Sequence, residues 1–231
     1  MSLQELIKFD QQLTLSINGS DSLFWDNVVY TVTNTFSWTL VIIVLFGVIF
    51  KNNKMKDSLL VILFMVLLIA FADRVCSGWI KPTVARWRPT QDPQLMYLID
   101  TVRDYRGGRF GFFSGHACNT MCFAVFTSLL FRYWKMTLTL LFWSLTTTLT
   151  RIYLGVHYAG DILVGWTLGI LFGTVFYLLY SRVQKHFGNK RLISEQFTST
   201  GYLISDLEAL LLVIFLNYVL VLIFSMCLGI A

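Results

Sequence analysis

Three short stretches of this chain carry residue types that could move a phosphoryl group. The first runs from Lys81 to Pro89 and holds Lys81, Arg86 and Arg88. The second is Ser114-Gly115-His116, and the third holds Arg151, His157 and Asp161. Lys81, Arg88 and Arg151 are three cations able to surround a phosphate, and each Arg offers paired donors to its oxygens. Ser114-Gly115 opens an apolar run, and a hydroxyl beside the free N–H groups of a helix start suits an anion. His157 and Asp161 are four apart, so a helix through both would set them on one face. A carboxylate bonded to one imidazole nitrogen fixes the tautomer and leaves the other nitrogen nucleophilic. His157 then reads as the nucleophile and Asp161 as its partner. His116 is free to protonate the leaving oxygen and later to activate water against the phosphohistidine. Cations aimed at the phosphate oxygens would stabilise charge developing in the transition state. Such a scheme needs no metal and no cofactor.

Each of these residues alone has a plainer explanation. Lys81 and Arg88 could be interfacial side chains that snorkel to the headgroups. Arg151 could cap a helix, Ser114-Gly115 could merely begin one, and Asp161 could answer a helix dipole. A single histidine in an apolar helix is usually a packed or interfacial residue. Only their conjunction argues for a site, and that depends on the elements carrying them.

Those elements belong to a bilayer. Of 231 residues, 56% are hydrophobic and 13% charged, with a mean hydropathy of +0.65, whereas soluble domains carry roughly 25% charged residues. A spanning helix needs about 20 mostly apolar residues, and runs at 28–50, 58–80, 114–131, 136–153, 158–180 and 203–229 meet that need. Backbone groups left unpaired in lipid are costly, so the spans must be helical. The expected fold is all-α: a polytopic membrane helix bundle of about six transmembrane helices. Residues 3–17 read as a short amphipathic helix lying at the interface. The expected organisation is an N-terminal interfacial segment at 1–27 and a membrane core with all three motifs at 28–181. A cytoplasmic connector and sixth span follow at 182–231.

Because spans alternate direction, the three motifs fall on one side of the membrane. The loops at 51–56, 132–135 and 181–191 fall on the other and hold nine Lys or Arg, against eight on the motif side. Once the motif cations are set aside for anion binding, the positive-inside rule makes the first side cytoplasmic. The motifs, the long polar stretch 81–113 and both termini then face outward. The +5 charge is scattered between apolar runs and forms no basic face, which argues against nucleic-acid binding. Cys76, Cys118, Cys122 and Cys227 lie in or beside apolar runs without metal-type pairing. The N-terminus lacks the basic and apolar regions of a cleavable signal.

Taken together, the three motifs resemble those of the type 2 phosphatidic acid phosphatase family. That family's signature is a Lys, six residues and Arg-Pro, then Pro-Ser-Gly-His, then Ser-Arg, five residues, His, three residues and Asp. Here the first reads Lys81 to Arg88-Pro89 with matching spacing, the second Phe113-Ser114-Gly115-His116, and the third Thr150-Arg151 to His157 and Asp161. Phe113 replaces the family's proline and Thr150 its serine, and neither carries the proposed chemistry. The resemblance implies that Lys81, Arg88, Ser114, Gly115 and Arg151 bind phosphate. It likewise implies His116 as acid, His157 as nucleophile and Asp161 as its partner.

Small spanning chains of this kind are similar to bacterial envelope phosphatases of the cytoplasmic membrane. With the site outside, undecaprenyl diphosphate or lipid A is the expected substrate. Phosphatidylglycerol phosphate and phosphatidic acid are alternatives, as are phosphoryl transfer to another lipid and binding of a lipid phosphate without cleavage. The loop around Arg103, Arg106, Gly107, Gly108 and Arg109 is either a lid or headgroup reader, or a solvated basic loop meeting anionic lipid.

Overall fold

The computed structural model describes residues 2–186 and 194–229 and is all-helical, with eight helices among the described residues. Part of the connector expected at 182–231, including Lys190 and Arg191, lies outside them. Helix α1 (Leu3–Ile17) begins with a capping box, in which Ser2 and Glu5 each bond the other's backbone N–H. Its bounds match the expected interfacial helix. Its outward face leaves Leu3, Leu6, Ile7, Phe9 and Leu13 exposed.

The first apolar run, expected as one span at 28–50, is two helices. Helix α2 (Leu23–Thr33) stops at Asn34, whose side chain caps a 3-10 turn (Thr35–Trp38) by accepting from the Phe36 N–H. Helix α3 (Thr39–Asn52) follows. An Asn flanked by two threonines offers the backbone local partners that compete with the helix ladder. Trp38 anchors the break: its indole N–H donates to Val32 O at 2.9 Å, and its ring meets Trp143 and Tyr218 edge-on.

The second span is longer than expected. Helix α4 (Met55–Asp73) continues through a π-helical stretch (Arg74–Ile80) and one more α turn (Lys81–Val84), ending at the left-handed Ala85. Helix α5 (Gly115–Phe131) and helix α6 (Trp134–Tyr153) form a tight hairpin, and helix α7 (Ala159–His186) packs along α5. Helix α8 (Ile204–Gly229) closes the bundle against α2 and α3.

Four segments are long and apolar enough to cross a bilayer: Thr35–Asn52, Met55–Val84, Ala159–Lys185 and Ile204–Cys227. At most 28% of residues in their most apolar windows are buried within the protein. The apolar side chains thus face outward, as lipid as solvent requires. The other two expected spans fall short for different reasons. Helix α5 has 17 residues, just below the usual length. Helix α6 carries six threonines, which lower its hydropathy. Their hydroxyls are satisfied locally; Thr139 and Thr147, for example, donate to the Lys135 and Trp143 carbonyls at 2.9 and 2.7 Å.

Helices α5 and α7 approach closely because α7 presents Gly165, Gly169 and Gly173 on one face. A methyl on Gly165 would lie 2.7 Å from Ser114 O, one on Gly169 2.7 Å from Cys118 O, and one on Gly173 2.8 Å from Cys122 O. Small residues four apart let two membrane helices pack backbone to backbone. This contact fixes the α5 N-terminus, with its Ser-Gly-His, against the α7 N-terminus.

Candidate active site

The three motifs converge at one end of the bundle. Ser114 is the N-cap of α5: its hydroxyl accepts from the Ala117 N–H at 3.4 Å, and its own N–H donates to Asp161 O at 3.1 Å. The Ser114 N–H is therefore engaged within the protein. Lys81 reaches the same corner: its Nζ is 3.8 Å from where a Gly115 methyl would sit. Cys76 Sγ donates to Phe113 O at 3.3 Å and ties the π-helical stretch to the same corner.

His157 and Asp161 do not share a helix face, as their spacing had suggested. His157 stands in the turn between α6 and α7, and Asp161 lies in the first turn of α7. The turn folds back so that the Tyr158 N–H donates to Asp161 Oδ2 at 3.1 Å, and His157 Nδ1 comes within 3.3 Å of the same oxygen. On the far side of the ring, Arg88 Nη1 lies 3.1 Å from His157 Nε2 and donates to Val156 O at 2.9 Å. A guanidinium can only donate, so Nε2 must present its lone pair. The ring proton then sits on Nδ1, facing the carboxylate. His157 is 2% exposed and Asp161 fully buried. Burial first, and then the positive charges of Arg88, Arg151 and Lys81, hold the His157 imidazole well below the usual histidine range.

Arg88 and Arg151, both buried, face this imidazole with unused donors. Arg151 donates to Thr33 Oγ1 at 2.8 Å and Tyr105 Oη at 3.1 Å. The Nε atoms of both arginines are buried with no hydrogen-bond partner among the described residues. Burial and the charge of Arg151 together lower the pKa of Arg88. For Tyr105, burial acts upward, but Arg151, Arg88 and Lys81 together outweigh it and the phenol is lowered. Two close, desolvated cations with orphaned donors suit a dianion such as phosphate.

The loop before α5 covers the imidazole. Trp87 and Phe110 form an isolated antiparallel bridge, and the Gly111 N–H donates to Arg86 O at 2.9 Å. A methyl on Gly111 would lie 3.2 Å from both Arg88 Cγ and Asp161 Oδ2. In the basic loop, Arg103 donates to Asn27 and stacks on Tyr30, while Arg109 stacks on Trp87.

His116 projects from the first turn of α5 into two adjoining cavities. One, of about 240 Å³, is lined by Tyr30, Thr33, Asn34, Thr35, Tyr105 and Arg151 as well as His116. The other, of about 390 Å³, is largely apolar and runs from His116 past Trp38, Phe123 and Trp143 to Phe131 and Met136. Since His116 and Phe131 are the second and last residues of α5, this cavity reaches about 22 Å down the helix. A polar chamber opening onto an apolar one matches the shape of an amphiphile.

Several participants are not marked by the motifs. Arg86 Nη1 donates to Asp161 Oδ1 at 2.8 Å and its Nη2 to Asp10 Oδ2 at 2.7 Å. Burial opposes the charge on Arg86, but Asp161 and Asp10 outweigh it and raise its pKa. Asp10, Tyr105 and Thr33 carry no spacing signal that could have singled them out. Arg86, two residues before Arg88, was visible but without a role.

Comparison with known proteins shows the family. The PAP2 superfamily profile matches residues 58–185. A lipid A 4'-phosphatase of Bacteroides thetaiotaomicron is 34% identical over 178 residues, covering 77% of this chain and 79% of that protein. A lipid A 4'-phosphatase of Porphyromonas gingivalis is 31% identical over 180 residues, covering 77% and 75%. The crystal structure of a transmembrane PAP2 type phosphatidylglycerolphosphate phosphatase from Bacillus subtilis superposes with a TM-score of 0.59 at 20% identity. That match covers 81% of this chain and 90% of the other. The chain belongs to the PAP2 superfamily. Within it, this is a multi-pass membrane enzyme, a lipid phosphatase.

Proposed function

We propose that this phosphatase hydrolyses a phosphomonoester of a lipid A-type glycolipid, releasing inorganic phosphate through a phosphohistidine formed on His157. The observation that carries the reading is the imidazole of His157, with Nδ1 toward Asp161 and the Nε2 lone pair facing Arg88. The two relatives named as lipid A 4'-phosphatases support the choice of substrate over a polyprenyl diphosphate.

In this mechanism the substrate phosphate enters the polar chamber beside Arg151 and an acyl chain enters the apolar one. Arg88 exchanges its bond to Nε2 for phosphate oxygens, which also accept from Lys81, Arg151 and the α5 N-terminus. Nε2 attacks phosphorus as the lipid O–P bond breaks, and His116 protonates the departing oxygen. His116 then takes a proton from water, which attacks phosphorus, breaks the N–P bond and releases inorganic phosphate. Asp161 stabilises the Nδ1–H side of the ring in both steps. Phosphoryl transfer works mainly through positioning and charge stabilisation, and a buried cationic site supplies both.

The proposed topology keeps six crossings, with α5 and α6 spanning as the inner hairpin and the site at the outer face of a bacterial cytoplasmic membrane. On the motif side Arg86, Arg88 and Arg151 are bound into the site, so they do not count as orientation signals.

The test is a side-by-side assay of the purified enzyme on lipid A, undecaprenyl diphosphate, phosphatidylglycerol phosphate and phosphatidic acid, with excess chelator present. Mass spectrometry should show lipid A losing one phosphate fastest, with free phosphate as co-product, and His157→Ala should be inactive. Preference for another lipid would overturn the substrate. An active His157→Ala enzyme or a strict metal requirement would overturn the chemistry.

A further inference from the structure

We propose that Asp10, on the N-terminal helix, is a positioning residue for phosphoryl transfer: it holds Arg86 so that the carboxylate of Asp161 stays set on His157. This rests on the reading of His157 as nucleophile.

Asp161 is held at both of its carboxylate oxygens. One of its oxygens faces His157 Nδ1 and the Tyr158 N–H; the other accepts from Arg86 Nη1 at 2.8 Å. A fully buried carboxylate needs a fixed cationic partner, since leaving it unpaired is costly. Arg86 is itself held on two sides. Its guanidinium lies over the Tyr158 ring, 4.0 Å from the centroid, and its Nη2 donates to Asp10 Oδ2 at 2.7 Å. With Asp10 in place the guanidinium bridges two carboxylates and its plane is fixed. Without that anchor it can rotate about its bond to Asp161 and take the carboxylate with it.

Asp10 is held as firmly as it holds. Its second oxygen accepts from the Gly160 N–H at 2.8 Å. One turn later the fully buried Thr14 accepts from the Ala159 N–H at 3.3 Å and donates to the Asp10 carbonyl at 2.7 Å. Two of the donors that α7 leaves unpaired at its N-terminus are thus capped by side chains of α1. Gly160 permits the approach, because a methyl there would lie 2.9 Å from Asp10 Oδ2. Further along, Asn18 bonds the Tyr153 and Asp100 carbonyls at 2.7 and 3.0 Å and fixes the end of α1 against the same turn. Helix α1 therefore belongs to the catalytic framework, with its apolar face turned outward.

The test uses the full-length enzyme in detergent micelles with a lipid phosphate substrate. Asp10→Asn keeps an acceptor for Gly160 while removing the charge that holds Arg86. Its kcat should fall roughly ten- to a hundredfold with KM changed by less than about twofold. Asp10→Glu, which restores the anion at a longer reach, should recover part of the loss. Combined with Arg86→Gln, Asp10→Asn should add no further loss, because the two residues act as one unit. Wild-type kcat in Asp10→Asn, a loss confined to KM, or losses that multiply in the double variant would each overturn the proposal. His157→Ala is assayed in parallel: if it stays active, the nucleophile assignment fails, whatever Asp10 does.

Discussion

Placing one methyl group on the face of α7 tests whether the packing of two helices sets the catalytic geometry. In Gly165→Ala the new carbon would start 2.7 Å from Ser114 O and 2.8 Å from Ala117 Cβ. The first of these is a backbone atom and cannot swing aside. Ordinary contact near 3.4 Å requires the helices to part by about 0.7 Å, and overpacking of this kind typically costs about 1–3 kcal/mol. The displacement falls at Ser114, whose N–H is bonded to Asp161 O and which lies two residues before His116. A misplacement approaching 1 Å at reacting groups can cost about 100-fold in rate. Gly173→Ala makes a matched comparison. Its methyl would start 2.8 Å from Cys122 O, a similar insult about 12 Å further along the helix. Both variants should lose similar thermal stability in detergent, measured by tryptophan fluorescence. Only Gly165→Ala should lose most of its kcat, by about 10- to 100-fold. Equal losses of kcat at equal stability would show that the helix contact supports the fold without setting the site.

Two further outcomes follow from the imidazole and its carboxylate. Asp161→Asn removes the charge that stabilises the ring during transfer and lets an amide favour the wrong tautomer, so kcat should fall about 10³- to 10⁴-fold; a loss below about tenfold in single-turnover assays would contradict the pairing. Burial and three cations depress the His157 pKa, so the ring should stay neutral as pH falls below the ordinary value of 6.5. Protonation of that ring therefore favours the unfolded chain, and the fold loses stability as pH falls below 6.5. Nitrogen NMR of the three histidines (His116, His157, His186), assigned by removing the other two, should show an unprotonated Nε2 for His157 at pH 6. An imidazolium signal there would be decisive against the assignment.

Much of the proposed site can be read in the sequence because chemistry constrains residue type at fixed spacing. Lys81 to Arg88, Ser114 to His116 and Arg151 to Asp161 all carry that imprint. What spacing does not reveal is the conformation between motif residues. The interval of four from His157 to Asp161 suits a helix face, yet it is spanned here by a turn that folds onto a helix start. Nor does it reveal partners from distant elements. Asp10 meets Arg86 across 76 residues, and Thr33 meets Arg151 across 118, with nothing periodic to link them. The four-residue spacing of Gly165, Gly169 and Gly173 is a signal that hydropathy alone passes over. Hydropathy likewise missed the break at Asn34. Nor does hydropathy show how the threonines of α6 satisfy themselves on the helix.

The meeting of a wet chamber and a greasy one at a single histidine has a kinetic corollary. After the bond breaks, the two fragments dissolve best in opposite surroundings. On the proposed mechanism the dephosphorylated lipid leaves by the apolar cavity, and the phosphate, once water has freed it from His157, by the chamber lined by Tyr105 and Arg151. Neither must wait for the other to clear its exit, so accumulated free phosphate should slow turnover by reoccupying the arginines without trapping the lipid.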